Sequence, residues 1–564
     1  MSEAEKKASQ DAQHKEPMAD SETQLDSDSA PSSQAEKPAK TKYPLSFWLA
    51  FGALCLTGLI SAMEGSIVST SLPSIIAELK AAFQPLYGQL ADLWGRRYVM
   101  ILATAIFLLG SGICGGANSM DMLIWGRAVQ GIGAGGINML VDLIICDLVP
   151  MRERGNFIGL LFLFVSIGTT SGPIIGGALT DNTTWRWVFY INLPMGGAAL
   201  VLLVLFLQVK WKKELSTRDR LKRIDVVGNA ILVGATFSIL YALTYGGTRY
   251  PWSAANIVAP FVLGFVGLGI FIAWESNKRW CPYPVMPLHH FNSRTASASF
   301  FISFMTMILA FWVVYFYPVY FQSVLGNTPT ISGVHLLPFE VSFPIFAAVG
   351  GGLVSKTGRY KPIHMVATSI VTIAIGASSV LTQHTHKAAW AVLQIFIGMG
   401  LGSLISTTLQ AVQAGLPESE TAASTATWAY MRSLGTIWGV SVPAAIFNNR
   451  FDQLSGQLDP SIRDNFVRGQ AYEHATAQFV QSFEPATREV VIGAYTDALR
   501  RVWLVSIAFG AVTVLSTLFE KELTLRTELD SEFGLAEKKG DAKGDVERGE
   551  GQNDSREGGQ NENV

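Results

Sequence analysis

Charge is scarce along most of this sequence. Lys and Arg number 42 and Asp and Glu 44, so charged residues make up 15% of 564, against about 25% in an ordinary soluble domain. Even that share gathers at the ends. Met1–Lys42 and Glu520–Val564 hold 35 of the 86 charged residues, which leaves about one residue in nine charged between them. A soluble domain of that size needs a larger charged surface, so the middle of the chain has to meet lipid. A soluble enzyme and a nucleic-acid binder are excluded on this ground. Cysteine is equally sparse: Cys55, Cys114, Cys146 and Cys281 are scattered, with no CxxC pair and no Cys/His cluster. That pattern offers neither a metal site nor a disulfide scaffold, and the four read as apolar gap-fillers. No Walker-type phosphate loop occurs, so no ATP-driven mechanism is expected of this chain. No catalytic-triad spacing stands out, no cofactor is expected, and the polar first 42 residues contain no early apolar core of a secretory signal.

What is present is a succession of apolar segments with short polar breaks. They lack the alternation of barrel strands, so they read as membrane-spanning helices. About 14 follow one another from Leu45 to Phe519, flanked by disordered tails over residues 1–44 and 520–564. The basic residues set the orientation. Lys37, Lys40, Lys42, Arg96, Arg97, Arg152, Arg154, the cluster Lys210–Arg223, Lys278, Arg279, Arg294, Lys356, Arg359 and Lys361 all fall on one side if every segment crosses. That side is the cytosol, and both termini lie there. The longest outer break, residues 448–501, joins the last two segments. The second segment, Ser74–Leu93, is poor: it carries Glu78, Lys80 and Pro85 and leaves no turn after the first. Against a turn plus a span of ~20 residues, roughly 15–20 residues are missing. The expectation is a truncated second span, either genuinely short or shortened by a coding segment lost from the predicted gene.

Three glycine-bearing motifs stand out. The first is Gly88-Gln-Leu-Ala-Asp92-Leu-Trp-Gly95-Arg96-Arg97, with a weaker copy from Gly352 to Arg359. Its glycines permit a tight turn, and Asp92 with the arginines offers a charge-assisted lock. The second, Arg127-Ala-Val-Gln130-Gly131-Ile-Gly133-Ala-Gly135-Gly136, places an arginine inside an apolar run, where an ionisable group marks function unless it snorkels to the surface. The third is Gly168-Thr-Thr-Ser-Gly172-Pro173-Ile-Ile-Gly176-Gly177, where Gly-Pro in mid-helix permits a kink. The first motif resembles the cytoplasmic signature loop of the major facilitator superfamily, and the third resembles the antiporter motif of its exporters. The runs Trp185–Pro194, Tyr315–Gln322 and Arg432–Gly435 look like its 14-helix drug:proton antiporter branch, as found in fungal toxin and multidrug pumps.

The resemblance covers most of Leu45 to Phe519 and implies an all-α polytopic membrane protein. Two six-helix halves, residues 45–208 and 296–519, would be joined across residues 209–295 by a basic inner loop and two linking helices near Val226–Leu243 and Ala255–Ala273. It implies that Asp147 pairs with the signature loop. Glu64, in Ala62-Met63-Glu64-Gly65, stands where the family usually carries Asp. A carboxyl group in a low-dielectric cavity holds its proton more tightly, and a nearby guanidinium weakens that hold, so such a group can load and lose a proton near neutral pH. Glu64 and Arg127 are therefore the proton-coupling candidates, unless Glu64 merely marks a helix end. Asp142, Tyr317, Tyr320, Gln322, Glu340 and Arg432 are candidates for the substrate cavity, the aromatic ones through stacking and cation–π contact. For Asp142 and Glu340 a structural partner is an equal alternative. Asn182-Thr-Thr184 is a glycosylation acceptor pattern close to the membrane.

The function expected is proton-driven export of an amphipathic organic compound such as a toxin, secondary metabolite or drug. The chain would act as a monomer, in the plasma membrane or alternatively the vacuolar one, with the bilayer, protons and a small organic substrate as its partners. A siderophore or basic amino acid carrier of the same fold, and a non-transporting membrane protein, remain the alternatives.

Overall fold

A computed structural model describes residues 43–67, 73–209, 216–247, 250–456, 471–472 and 474–527. Side chains of residues 67–79, and of Pro173, Gly177 and Asp181, lie outside that description, as do residues 1–42 and 528–564 of the expected tails.

Among the described residues, fourteen helices have 15 residues or more. They are α1 Leu45–Ile67, α2 Pro73–Trp94, α3 Arg96–Gly115, α4 Met120–Leu148, α5 Arg154–Asn182, α6 Asn192–Phe206 and α7 Val226–Tyr245. Then follow α8 Ala255–Ser276, α9 Arg294–Val319, α10 Pro329–Thr357, α11 Lys361–Ala377, α12 Lys387–Gln413, α13 Thr421–Ser455 and α14 Pro485–Phe519. Their ends are written in the sequence. Ser119 accepts from the Met122 amide at 3.1 Å to start α4, and Asp225 accepts from the Gly228 amide at 2.8 Å to start α7. Thr328 followed by Pro329 starts α10, and Gly358, at φ 69°, ends it. Pro318 near the end of α9 leads into a wide turn over Tyr320–Val324 with i→i+5 bonds.

The helices pack in two groups. In the first, α1 lies on α5 and α6, α3 on α4 and α6, and α2 on α4. In the second, α10, α9 and α11 surround α12, while α14 lies on α9, α11 and α13. The groups meet where α5 faces α10 and where α13 faces α2 and α4. Helices α7 and α8 pair with each other, and α7 leans on α2 and α13.

Three expectations change here. Among the described residues twelve helices, where about 14 spans are expected, are both long and apolar enough to cross a membrane. The two that fall short in apolarity are α2 and α13, which hide some of their polar residues in protein instead of lipid: Gln84, Thr425 and Thr427 are buried. The second span is not truncated. Helix α2 has 22 residues, about 33 Å at ~1.5 Å per residue, and what is short is the link over residues 68–72, which lies outside the described residues. Finally, the outer break is helical at both ends, because α13 runs on to Ser455 and α14 starts at Pro485. Phe447 and Phe451 of α13 pack against Tyr495 of α14, with ring centroids 5.9 and 4.9 Å apart, and hold the two extensions together.

Helix α14 also ends in an ordered segment where a disordered tail is expected. Glu520–Arg526 folds back under the second group: Ser299 and His364 bond the buried Glu520 carboxylate at 2.7 and 2.9 Å. The Lys521 amide donates to Thr295 at 3.0 Å.

Candidate functional site

The carboxylate of Glu64 is buried near the far end of α1. Arg127 of α4 donates to one of its oxygens, and Asn192, the first residue of α6, donates to the other. Arg127 also donates to Gln130, three residues on along the same helix face, at 2.8 Å. Gln130 passes the chain of bonds on to Ser111 of α3 at 2.7 Å. The guanidinium lies 5.3 Å from the centre of the Phe189 ring. An arginine costs ~2.5–3.5 kcal/mol to insert at mid-membrane, and here that cost is offset by an ion pair, a hydrogen bond and an aromatic face. Sequence reasoning found Glu64 and Arg127 but gave no role to Ser111, Gln130 or Asn192. Gln130 and Asn192 lay inside quoted motifs, and neither carries a charge to single it out.

The third motif sits beside this network. A Cβ on Gly168 of α5 would lie 2.4 Å from the Leu59 carbonyl of α1, so only glycine lets α5 close on α1 one turn below Glu64. Gly172 and Gly176 are buried along the same helix. The surroundings of Pro173 and Gly177 lie outside the described residues.

Asp142 and Arg432, chosen separately from the sequence, form one ion pair of 3.0 Å between α4 and α13. The Arg432 guanidinium lies 4.4 Å from the Trp428 ring and 5.5 Å from that of Phe162. The pair thus spans the boundary between the two groups, and Arg432 keeps Nη1 buried without a hydrogen bond. Glu340 of α10 is half-buried and has no ion pair or hydrogen bond among the described residues. Gln322 is half-buried in the wide turn after α9. Tyr317 and Tyr320 do not reach the boundary. They are buried within the second group, where they bond Ser378 and the Thr382 carbonyl, each at 2.8 Å. Alternate faces of an aromatic-rich helix look alike in sequence, and here this face meets Trp503 at 5.1 Å.

At the basic-loop end, Arg96 donates to Asp92 and to Asp147, both at 2.7 Å. Gly95 makes the turn before it at φ 86°. Arg97 caps the Val204 carbonyl of α6 at 2.6 Å. Gly88 packs on Ala426 of α13. The next turn joins the groups: Arg154 reaches Gln413 at 2.8 Å and Glu418 at 3.2 Å. Arg152 caps the carbonyls of Ser355 and Lys356 at 2.7 and 3.0 Å. In the sequence Arg152 and Arg154 counted only toward orientation. This end of the molecule is closed.

Outside the spans, Asn182 is exposed at the end of α5 and bonds its own Ala178 carbonyl at 2.8 Å. The four cysteines are buried. Burial pushes the Cys281 thiol up to about 12, so it stays protonated and donates to Asp225 at 3.3 Å. Burial likewise pushes His290 below the ordinary histidine range, and it contacts Glu420 at 2.7 Å.

Residues 43–440 match the Major Facilitator Superfamily. The chain is 65% identical over 526 residues to the MFS-type efflux transporter phmH of Phaeosphaeria nodorum, covering 92% of each. It is 45% identical to the MFS-type efflux transporter pyiT of Pyricularia grisea, covering 88% of each. Among solved structures, the human organic anion transporter TETRAN superposes with a TM-score of 0.53 at 12% identity, over 84% of this chain and 100% of that one. The proton:xylose symporter XylE superposes with a TM-score of 0.52 at 14% identity, over 86% of this chain and 98% of that one. At these identities the superpositions show the fold.

Proposed function

The chain belongs to the Major Facilitator Superfamily, and on that premise we propose that it exports an amphipathic organic compound in exchange for protons. The observation that carries this reading is the buried Glu64 carboxylate, held by Arg127 and Asn192 beside the glycine contact of α5 on α1. A proton arriving at Glu64 removes its negative charge. The Arg127 guanidinium then loses its partner and turns toward Gln130 and Phe189, and the packing of α4 on α1 changes with it. A released proton restores the pair. Exchange follows if substrate and proton favour different states of the two groups. The locks Asp92–Arg96–Asp147 and Arg154–Gln413–Glu418 hold the basic-loop end shut in one of those states.

The names of the relatives support export as the direction. The cavity chemistry supports a neutral or weakly acidic amphipath over a basic one. Two of the three candidate carboxylates, Glu64 and Asp142, are already paired with arginine, which among the described candidates leaves Glu340 to meet a cation. The plasma membrane, with both termini cytosolic and each chain acting alone, is the setting this reading takes. The test is proton flux in proteoliposomes, followed with a pH-sensitive dye against a panel of amphipathic compounds. Compound-dependent flux is expected from the native chain. No flux above empty liposomes for any compound would overturn the reading.

A further inference from the structure

At the end of the molecule away from the basic loops, α13 and α14 enclose an open groove of about 520 Å³. Its polar end is built from Arg450 and Gln453 of α13 and from Asp497, Arg500 and Arg501 of α14. Its apolar end is built from Ile446, Leu504 and Val505. The spacings of three and four put each set on one helix face. Arg450 spends its charge on Asp497, with Nε and Nη2 at 3.1 and 2.6 Å from the same oxygen, and its Nη1 lies 3.2 Å from Gln453. Arg500 and Arg501 are exposed and have no ion-pair partner among the described residues. Three guanidinium groups and one carboxylate leave the groove with an excess of two positive charges.

Depth gives the groove its meaning. From Arg501 to the end of α14 at Phe519 the helix rises about 27 Å at ~1.5 Å per residue, close to the ~30 Å of hydrocarbon in a bilayer. The arginines therefore stand at the membrane surface opposite the basic loops, where the charge rule that orients the rest of the chain provides no reason for a cluster of them. Leu504, which is 41% exposed, and Val505 lie one turn deeper, in the hydrocarbon. Polar head outward and apolar wall inward is the arrangement of a phospholipid. We propose that this groove binds one anionic phospholipid, its phosphate held by Arg500 and Arg501 with Arg450 beside them, and its acyl chain laid along Ile446, Leu504 and Val505. Guanidinium groups pair with phosphate through two parallel bonds.

The test uses the full chain in detergent. Thermal unfolding and native mass spectrometry are followed while phosphatidylglycerol, phosphatidylcholine, inorganic phosphate or glycerol phosphate is added. Phosphatidylglycerol is expected to raise the Tm and to appear as one retained lipid, with phosphatidylcholine at least fivefold weaker. R500Q/R501Q should lose that preference while unfolding at the native Tm in detergent alone. D497N, which frees Arg450, should bind the anionic lipid at least twofold more tightly, a gain that no merely structural role of Asp497 produces. Equal stabilisation by both lipids, or an unchanged preference in R500Q/R501Q, overturns the site. If R500Q/R501Q does not fold, weaker binding of anionic lipid by D497N overturns it instead. Stabilisation by inorganic phosphate or glycerol phosphate equal to that by the lipid makes the ligand a free anion and overturns the lipid assignment.

Discussion

Glu64 is held by Arg127 of α4 and by Asn192 of α6, one on each carboxylate oxygen, so single substitutions separate charge from shape. Glu64→Gln keeps the size, but its single amide oxygen can accept from Arg127 or from Asn192 and not from both, and it cannot carry a proton. Proton-driven efflux is expected to disappear while the protein stays folded and in the membrane, as judged by dye flux and by size-exclusion profile; undiminished pH-driven efflux would remove Glu64 from the coupling role. Arg127→Ala leaves the carboxylate buried without its partner, which costs about 3–5 kcal/mol for a buried pair. It should fail in both transport and Tm. Arg127→Lys keeps the charge but not the fork that reaches Glu64 and Gln130 together, so it should retain more stability than transport. The Asp142–Arg432 pair makes a different demand, because it crosses between the groups. Arg432→Gln should slow export more than it lowers the Tm, since Trp428 and Phe162 still pack there; equal loss of both would make the pair a structural one.

At the scale of the helix, apolarity located most spans and glycine located their crossings, since both are visible one residue at a time. The signature turn, with Asp92, Arg96 and Asp147 in one cluster, was legible in the glycines and charges of its motif, and the place of Asp147 in it came from the family resemblance. Asn192 and Ser111 were not legible, because a neutral polar residue in an apolar run gives no sign of its partner. Nor could the sequence say which face of α9 turns inward, and Tyr317 and Tyr320 turned into the second group. Helix α2 remains the element least suited to lipid. It completes a full span only by starting six residues after α1 ends and by carrying Lys80 inside. Because α2 is already a continuous 22-residue helix through Leu79–Phe83, sequencing the transcript across these codons is expected to return Leu79-Lys80-Ala81-Ala82-Phe83 without insertion. Additional apolar codons there would show instead that this polar helix is a shortened form of a longer one.

For the whole molecule the two groups are joined at the basic-loop end by more than the signature turn. Beyond α14 the chain crosses under the second group, where Arg526 caps the Leu416 carbonyl at 2.5 Å, and touches the first, where the Arg152 amide donates to the Arg526 carbonyl at 3.2 Å. Leu525 is buried with Met151, Val354 and Tyr360, which come from both groups. An alternating-access cycle that opens this end has to break these contacts together with those of Arg152 and Arg154. They therefore stabilise the closed state and are absent from the open one, and a substitution here shifts a population instead of removing a site. Leu525→Ala deletes buried apolar volume, at a cost of about 2–5 kcal/mol if fully packed, and somewhat less here because the residue sits at the surface of its cluster. The expected outcome is a protein that still binds substrate and still carries protons but spends more time open to the basic-loop side. A cysteine replacing the larger Gln410, which is buried and donates to the Met151 carbonyl across the boundary at 2.7 Å, would report it. In a background where L525A is added, its labelling by a membrane-impermeant maleimide from that side should rise severalfold. Unchanged labelling with an unchanged Tm would show that the segment after α14 rides on the second group and takes no part in closing the molecule.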